Sequence, residues 1–327
     1  MAAGGRQPAV LRPSARGVAA EAAPPLVIVT GASGGIGRAL AERIARPGLT
    51  LGLVGRDEEG LDRASFAAKQ RGAKALTSRI DVTTGAFATW VEDVGARFRL
   101  AGFYANAGLS AGPPSTGALE TAEDTERLVA VNVVATIATV RAVVATMRRQ
   151  GTARRPPRRI GIVSSIAALF PTPDLAVYSA TKAALVAYAH AVRPRLAADG
   201  ITVTVSCPGF VTTPMSARHD GAKPFEMTPQ AAARRIVAVT EAGRRTAVFP
   251  LPFALLAYLA PLAPGALVDA VVPAFRATIA PDPRLERERR TPAAPRTAAV
   301  EPHEPGDGPD TTAAPPRPLA ASEDPAA

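Results

Sequence analysis

The sequence predicts an α/β domain with a doubly wound, parallel sheet of seven strands and helices on both faces. Three observations support this prediction. Short apolar runs alternate with longer helical segments, which is typical of buried parallel strands joined by crossover helices. The first run leads directly into a glycine-rich turn that opens a helix. Residues 26–283 are also numerous enough to form one large domain.

Two extensions flank this predicted domain. Residues 1–25 are rich in Ala, Gly, Pro and Arg without a continuous apolar segment, so a signal peptide is not expected. Residues 284–327 contain nine prolines and no aromatic residue. Such a segment buries too little apolar surface to offset the entropy lost on ordering. Both extensions are therefore predicted to be disordered.

The first strand, Leu26–Thr30, runs into a turn with the spacing Gly-x-x-x-Gly-x-Gly, formed by Gly31, Gly35 and Gly37. Glycine permits the tight turn and lets a pyrophosphate approach the backbone N–H groups at the start of a helix. The turn therefore indicates a dinucleotide site. A glycine turn with only a structural role is the alternative.

The second strand is Thr50–Gly55. In dinucleotide-binding folds, the residue at the end of this strand determines whether NAD or NADP is bound. An acid at this position binds the ribose 2′-hydroxyl of NAD, whereas an arginine suits the 2′-phosphate of NADP. Gly55 occupies the acid position and Arg56 follows it, which favours NADP over NAD. Asp57 keeps NAD open, because a shift of one residue would reverse the assignment.

The remaining elements are predicted in the same way. Asp81-Val82 closes the third strand, and Asp81 is also a candidate N-cap for the next helix. The expected strands are Ala75–Ile80, Gly102–Tyr104, Arg159–Ser164, Ile201–Ser206 and Thr246–Phe249, and the expected helices are Glu58–Arg71, Thr121–Gln150, Leu175–Ala198 and Pro229–Ala242.

Tyr178 and Lys182 lie four residues apart and therefore share one face of the helix that carries them. A nearby ammonium lowers the pKa of a phenol, so Lys182 is expected to prepare Tyr178 for proton exchange with a substrate oxygen. Ser165 ends the preceding strand, and Asn132 lies within a long apolar helix.

Together with Asn106-Ala107-Gly108 and Pro208-Gly209, these motifs make the chain resemble the short-chain dehydrogenase/reductase family, from about Leu26 to Phe249. Ala105 stands where the family usually has a second Asn before Asn106. The resemblance implies a Rossmann-like fold and hydride transfer between a nicotinamide and a carbonyl or alcohol carbon. We expect NADPH-dependent reduction of a lipophilic ketone, aldehyde or acyl compound.

The resemblance also implies roles for individual residues. Tyr178 exchanges the proton, Lys182 grips the nicotinamide ribose, Ser165 orients the carbonyl, and Asn132 holds a water in the proton relay. The cofactor is expected to be bound by Thr30, Gly31, Ser33, Gly34, Gly35, Ile36, Gly37, Arg56, Asp81, Val82, Asn106, Ala107, Gly108, Tyr178, Lys182, Pro208, Gly209, Val211 and Thr212. A homodimer or homotetramer is implied, with the helix around Asn132 at its interface.

Composition argues against several other functions. The net charge is +10, and its sharpest cluster is Arg148, Arg149, Arg154, Arg155, Arg158 and Arg159. No aromatic residue is interleaved with these arginines, so a solvated loop is favoured over a nucleic-acid site. The single cysteine, Cys207, fits a reducing cytoplasm. The histidines His190, His219 and His303 have no metal-ligand spacing, so no metal is expected.

Residues 249–272 form an apolar, proline-interrupted segment after the last predicted strand. We expect Phe253, Leu255, Leu256, Tyr258 and Leu259 to cover an apolar substrate cleft. Peripheral membrane contact is the alternative, and a membrane-spanning helix is disfavoured by the prolines. A nucleotide-sensing protein on the same fold also stays open, because fold does not fix function.

Overall fold

A computed structural model describes residues 23–113, 118–151, 157–259, 262–266 and 278–281, all within one compact unit, Met1–Asp282. Seven parallel strands form one sheet in the order β3-β2-β1-β4-β5-β6-β8. A short antiparallel pair, β7 with β9, lies outside it. The strands are β1 (Pro25–Thr30), β2 (Thr50–Gly55), β3 (Lys74–Arg79), β4 (Arg99–Ala105), β5 (Arg158–Val163), β6 (Ile201–Pro208), β7 (His219–Asp220), β8 (Thr246–Phe249) and β9 (Thr278–Ile279).

Helices connect the strands of the sheet, and one more helix follows its last strand. They are α1 (Gly35–Ile44), α2 (Glu58–Gln70), α3 (Ala86–Arg97), α4 (Ala122–Leu128), α5 (Thr136–Arg149), α6 (Ala176–Ala197), α7 (Pro214–Ala217), α8 (Pro229–Glu241) and α9 (Leu251–Leu259). A π-helical stretch, Val129–Ala135, joins α4 to α5, and short 3₁₀ turns at Ile166–Ala168 and Pro173–Leu175 precede α6.

The core lies on both faces of the sheet, as the doubly wound prediction requires. One apolar cluster includes Phe87, Phe103 and Met147, and the other includes Leu40, Leu53 and Ile236. Strand β1 pairs with β2 on one side and with β4 on the other, so the chain reverses its direction of winding there. Ligands of such sheets bind at the carboxyl ends of the strands beside this reversal.

The predicted strands agree with the observed ones to within a few residues, and two details of the intervening segments were wrong. Asp81 does not cap α3, because that helix begins at Ala86 with Gly85 at its N-cap. The predicted continuous helix from Thr121 to Gln150 is interrupted by the π-helical stretch. Its ends were predicted correctly, since Thr121 caps α4 and Gly151 ends α5 with a φ of 74°.

The arginines of the cluster that the structure describes form ion pairs and hydrogen bonds with other parts of the chain. Arg148 pairs with Asp199 at 2.7 Å, and Arg149 pairs with Glu92 at 3.2 Å. Arg158 is buried and donates to the carbonyls of Met147 and Gly151 at the end of α5, so it is not part of a solvated loop. Such bonds satisfy carbonyls that a helix end leaves unpaired. Residues Arg154 and Arg155 lie outside the described residues.

Two helical stretches in the described part of the chain, Ala122–Arg149 and Pro173–Ala197, are long and apolar enough to cross a membrane by length and composition. Both pack against the sheet, as Val143, Met147, Leu185 and Ala189 belong to the core cluster. The same test is passed by core helices, so this finding is weak evidence for a membrane span.

Candidate active site

Four loops that follow β1, β4, β5 and β6 meet at the carboxyl edge of the sheet. Asn106, just after β4, ties two of them together, because its side-chain Nδ2 donates to the carbonyls of Thr30 at 3.1 Å and Gly31 at 3.3 Å. The Thr30 hydroxyl accepts hydrogen bonds from the backbone N–H groups of Asn106 and Ala107. These bonds hold the glycine turn beside the turn after β4.

The glycine turn is shaped so that side chains are excluded from it. Gly31 has a φ of 65°, and a Cβ there would lie 2.9 Å from the Cα of Ala107. A Cβ on Gly35 would lie 2.6 Å from the methyl group of Thr213, in the loop after β6. A Cβ on Gly37 would lie 2.0 Å from the carbonyl oxygen of Gly31, whereas one on Gly34 would make only an ordinary contact with that oxygen, at 3.5 Å. The backbone at Gly31, Gly35 and Gly37 is therefore packed closely, as expected of a glycine turn at the start of a helix.

At the end of β2, Gly55 packs closely against side chains. A Cβ on Gly55 would lie 2.8 Å from Ser33 Oγ. Asp57 is the N-cap of α2, where its carboxylate accepts from Gly60 N at 3.3 Å. Arg56 lies between them and pairs with Asp81 at 3.7 Å, with both side chains 39% exposed.

Asp81 is engaged in a local turn after β3. Its carboxylate accepts hydrogen bonds from the backbone N–H of Thr83 at 2.9 Å and from the Thr83 hydroxyl at 2.7 Å. Val82 packs against the core cluster on one face of the sheet. Arg56 and Asp81 therefore lie side by side at the carboxyl ends of β2 and β3, which form one rim of the site.

Ser165 and Tyr178 lie near each other, and hydrogen bonding by Ser165 lowers the pKa of Tyr178. Ser165 follows β5 and begins a 3₁₀ turn, whereas Tyr178 lies in the first turn of α6. Burial raises the pKa of Tyr178 above its ordinary value, and the hydrogen bond from Ser165 partly offsets this rise. Loss of solvent is the largest cause of this shift, and Lys182 is not among its causes, so the lowering expected from Lys182 stays a prediction.

Lys182 lies one turn beyond Tyr178 on α6. Its ammonium is 5.6 Å from the centre of the Tyr178 ring and donates to the carbonyl of Val163 at 3.3 Å. The side chain is buried, and burial lowers the pKa of Lys182 from 10.5 to about 8. The spacing of four residues thus brings the two groups together, as the sequence indicated.

Asn132 is fully buried in the π-helical stretch. Its Oδ1 accepts from Leu109 N at 2.8 Å, and its Nδ2 donates to Leu109 O at 3.0 Å and to Thr181 Oγ1 at 3.1 Å. Oδ1 and the Lys182 ammonium approach the same point beside Gly108, at 3.1 Å and 3.2 Å from a Cβ placed there. Thr181 was not identified from the sequence, although it directly precedes Lys182.

Tyr178 and Ser165 face a cavity with a largely apolar lining. Its wall includes Ile166, Phe170, Leu175, Phe210, Val211, Met215, Phe253 and Ile279, with the polar side chains of Ser110, Thr172, Thr213, Ser216 and His219 between them. Pro208 and Gly209 line it as well. Thr212 points elsewhere, since its hydroxyl donates to Met227 O at 3.4 Å.

The predicted cover of this cavity is correct for one of its five named residues. Phe253 is buried, lines the cavity and contacts Phe210 and Phe225. Leu255, Tyr258 and Leu259 are more than half exposed, and Leu256 is partly buried. Because α9 is apolar on all sides, its sequence does not reveal which face turns inward. Residues 260–261 and 267–272 of the segment lie outside the described residues.

This fold and this site define a nucleotide-dependent oxidoreductase. The family model described as short chain dehydrogenase matches residues 25–223. The chain therefore belongs to the short chain dehydrogenase family, whose members act on CH–OH or C=O groups with NAD(P).

Individual proteins resemble the chain over most of its length. A putative ketoacyl reductase of Streptomyces coelicolor is 33% identical over 247 residues, which are 74% of this chain and 91% of the relative. L-sorbose reductase from Gluconobacter frateurii, solved with NADPH and L-sorbose, has a TM-score of 0.59 at 24% identity and matches 68% of this chain and 94% of its own. A short chain dehydrogenase from Mycobacterium paratuberculosis, bound to NAD, has a TM-score of 0.58 at 22% identity and matches 69% and 95%.

Proposed function

We propose that the protein is an NADPH-dependent reductase of lipophilic carbonyl compounds, with Tyr178 as its proton donor. The observation that carries this proposal is the position of Ser165 and Tyr178 together in the wall of one largely apolar cavity. A substrate carbonyl oxygen beside both hydroxyl groups accepts a hydrogen bond from each. The carbon of that carbonyl is then held in a fixed orientation, which contributes much of the rate.

A bound nicotinamide cofactor supplies the hydride for this reaction. Tyr178 delivers the proton to the carbonyl oxygen during reduction and removes it from the alcohol during oxidation. Ser165 polarises the same oxygen.

Lys182 and Asn132 lie behind Tyr178 and support its proton transfer. The Lys182 ammonium is near the phenol ring and also near the Asn132 amide beside Gly108. A lysine with a pKa of about 8 exchanges its proton readily near neutral pH. We assign Lys182 to the ribose and to reprotonation of Tyr178, and Asn132 to the water relay behind Lys182.

The preference for NADPH is supported by the end of β2. Gly55 stands where an acid would bind a ribose 2′-hydroxyl, and it packs closely against Ser33. Asp57 is directed into its own helix as the N-cap, so it does not replace that acid. Arg56 is the positive side chain that remains at this rim, and a 2′-phosphate would compete with Asp81 for it.

Comparison of the two cofactors tests this preference. Arg56→Ala should weaken NADPH binding about 10- to 150-fold, as expected for loss of a charge-assisted hydrogen bond of about 1.5–3 kcal/mol, and should leave NADH nearly unchanged. Arg97→Ala removes an exposed arginine paired with Asp93 on α3 and serves as the control. An equal loss for both cofactors, or a wild type that prefers NADH, would contradict the assignment.

Steady-state kinetics test the role of Tyr178. Tyr178→Phe should lower kcat at least about 10²-fold, the usual scale of acid–base catalysis, while cofactor affinity is retained. Tyr188→Phe removes a half-buried hydroxyl from the same helix and is the matched control. Because the natural substrate is unidentified, a panel of ketones, aldehydes and acyl thioesters is assayed by NADPH oxidation. Near-normal turnover by Tyr178→Phe would refute the proposal.

A second candidate property is contact with a membrane surface, favoured by the outer face of α9. Leu251, Leu255, Tyr258 and Leu259 on this helix are each 55–67% exposed. Co-sedimentation with liposomes tests this contact, and replacing Leu255 and Leu259 by Ser should abolish it. A wild type that stays in the supernatant would argue against it.

Self-association is a separate proposal. Val129 and Val134 are exposed on the helix that carries Asn132, at 39% and 59%. A dimer or tetramer that pairs this helix would bury them, and light scattering of the wild type measures the oligomeric state.

A further inference from the structure

We propose that Ile279 forms the far wall of the substrate cavity and that Arg218 is the positioning residue that holds it there. This inference rests on the proposed function, since it concerns the specificity of the same site. According to this proposal, residues Thr278–Ala280, which are distant in sequence from Ser165 and Tyr178, help to select the substrate.

Ile279 is placed between two loops of the active site. It lines the cavity that Ser165 and Tyr178 also line. A Cβ on Gly112, in the segment after β4, would lie 2.6 Å from Ile279 Cγ1 and 3.0 Å from the carbonyl of Asp174, just before α6. Glycine at position 112 therefore leaves the space that the Ile279 side chain occupies.

Backbone pairing fixes which residue of this segment turns inward. Strand β9 pairs antiparallel with β7 in the register His219 with Ile279 and Asp220 with Thr278. The N–H of Ala280 donates to the carbonyl of Arg218 at 2.8 Å. Because neighbouring residues of a strand point to opposite sides, a shift by one residue would replace Ile279 in the cavity by Thr278 or Ala280.

The guanidinium of Arg218 joins this strand pair to the rest of the site. It donates to the carbonyl of Ala280 at 3.1 Å, and to both the carbonyl and the hydroxyl of Ser110 at 3.0 Å. Ser110 is itself buried and lines the cavity. A single side chain thus connects the loop after β4, the loop after β6 and the C-terminal segment.

The chemistry of this wall indicates what it recognises. Ile279 offers only aliphatic surface, and Phe210 and Phe253 add aromatic surface to the same cavity. The imidazole of His219 packs against Phe210, with 5.1 Å between the ring centres, and burial lowers its pKa, so it is uncharged at neutral pH. The part of a substrate that reaches this wall is therefore an uncharged alkyl or aryl group.

Two substitutions test the wall by kinetics. Ile279→Ala removes the aliphatic contact, and Arg218→Lys keeps the charge but loses the planar group that reaches two segments at once. The probes are 2-butanone and 2-decanone with NADPH. In both variants the ratio of KM for 2-decanone to KM for 2-butanone should rise about tenfold, the scale for losing contact with somewhat less than two methylene groups. Lys223→Ala, in the same loop as Arg218, is the control and should leave the ratio unchanged.

Two measurements without turnover separate this inference from the proposed function. In Arg218→Lys, hydrogen exchange at Ala280 should become about tenfold faster, and it should not change in Lys223→Ala. Binding of the neutral fluorescent probe N-phenyl-1-naphthylamine should weaken about tenfold in Ile279→Ala. If the wild type reduces no carbonyl compound, the proposed function fails. The two measurements then still test whether Arg218 holds Ile279 in the cavity wall. Unchanged exchange in Arg218→Lys, or unchanged probe binding in Ile279→Ala, would overturn the inference.

Discussion

Replacing Lys182 with Met tests what the burial of an ammonium costs at the centre of the site. The side chain is 5% exposed, and its pKa falls from 10.5 to about 8 because burial disfavours the charged form. Between these two pH values the unfolded chain holds the proton and the folded chain has released it. The unfolded state then binds more protons, so the contribution of Lys182 to the free energy of unfolding rises with pH.

The size of the effect follows from the same two values. The interval from 10.5 to about 8 corresponds to about 3 kcal/mol at about 1.4 kcal/mol per pH unit. Lys182 therefore lowers the free energy of unfolding below pH 8, and this penalty disappears as the pH rises toward 10.5. Lys182→Met has no such penalty, so the variant should be more stable than the wild type at pH 7.

Urea unfolding of wild type and Lys182→Met at pH 7 and pH 10 measures this contribution. The stability advantage of the variant should shrink by about 2–3 kcal/mol between the two pH values. Comparing the two proteins cancels the titration of groups that they share. Thr181→Val, which removes no titratable group from the adjacent position, should differ from wild type by the same amount at both pH values. A stability difference for Lys182→Met that does not change with pH would refute the reasoning.

Two further predictions concern residues around the catalytic group. The Thr181 hydroxyl accepts a hydrogen bond from the Asn132 amide and donates one to the carbonyl of Tyr178 at 2.7 Å. Thr181→Val should lower kcat about tenfold, because the buried Asn132 amide loses a hydrogen-bond partner, and Thr181→Ser should restore kcat. Equal kcat in Val and Ser variants would contradict this. Gly37→Ala would place a methyl group against the carbonyl of Gly31, so calorimetry should detect a loss of about 1–3 kcal/mol in stability and no NADPH binding. Wild-type NADPH affinity in this variant would exclude the assigned role of the turn.

Local features were the ones that the sequence predicted well. The strands follow from short apolar runs, and the proximity of Tyr178 and Lys182 follows from helical spacing alone. The caps at Thr121 and Gly151 follow from residue chemistry. Each of these features depends on residues within one or two turns of each other.

Features that depend on distant partners were missed or misassigned. The π-helical stretch at Asn132 is invisible in a run of apolar residues, and the amide finds its partners at Leu109 and Thr181, far away in the chain. Burial raises the pKa of Tyr178, and that burial comes from distant parts of the chain that pack around it. Arg158 looked like its arginine neighbours, although it alone among those described is almost fully buried.

The two ends of the cavity are held in different ways, and this difference bears on how its specificity can change. At the catalytic end, Asn106 and Lys182 bond to the last residues of β1 and β5, Thr30 and Val163, and Asn132 bonds to Leu109 in the turn after β4. Moving any of these groups requires a change in the sheet itself. At the far end, the wall depends on side chains from loops and on the Arg218 guanidinium. Substitutions at the far end can therefore alter which alkyl or aryl group fits while the proton-transfer geometry stays fixed.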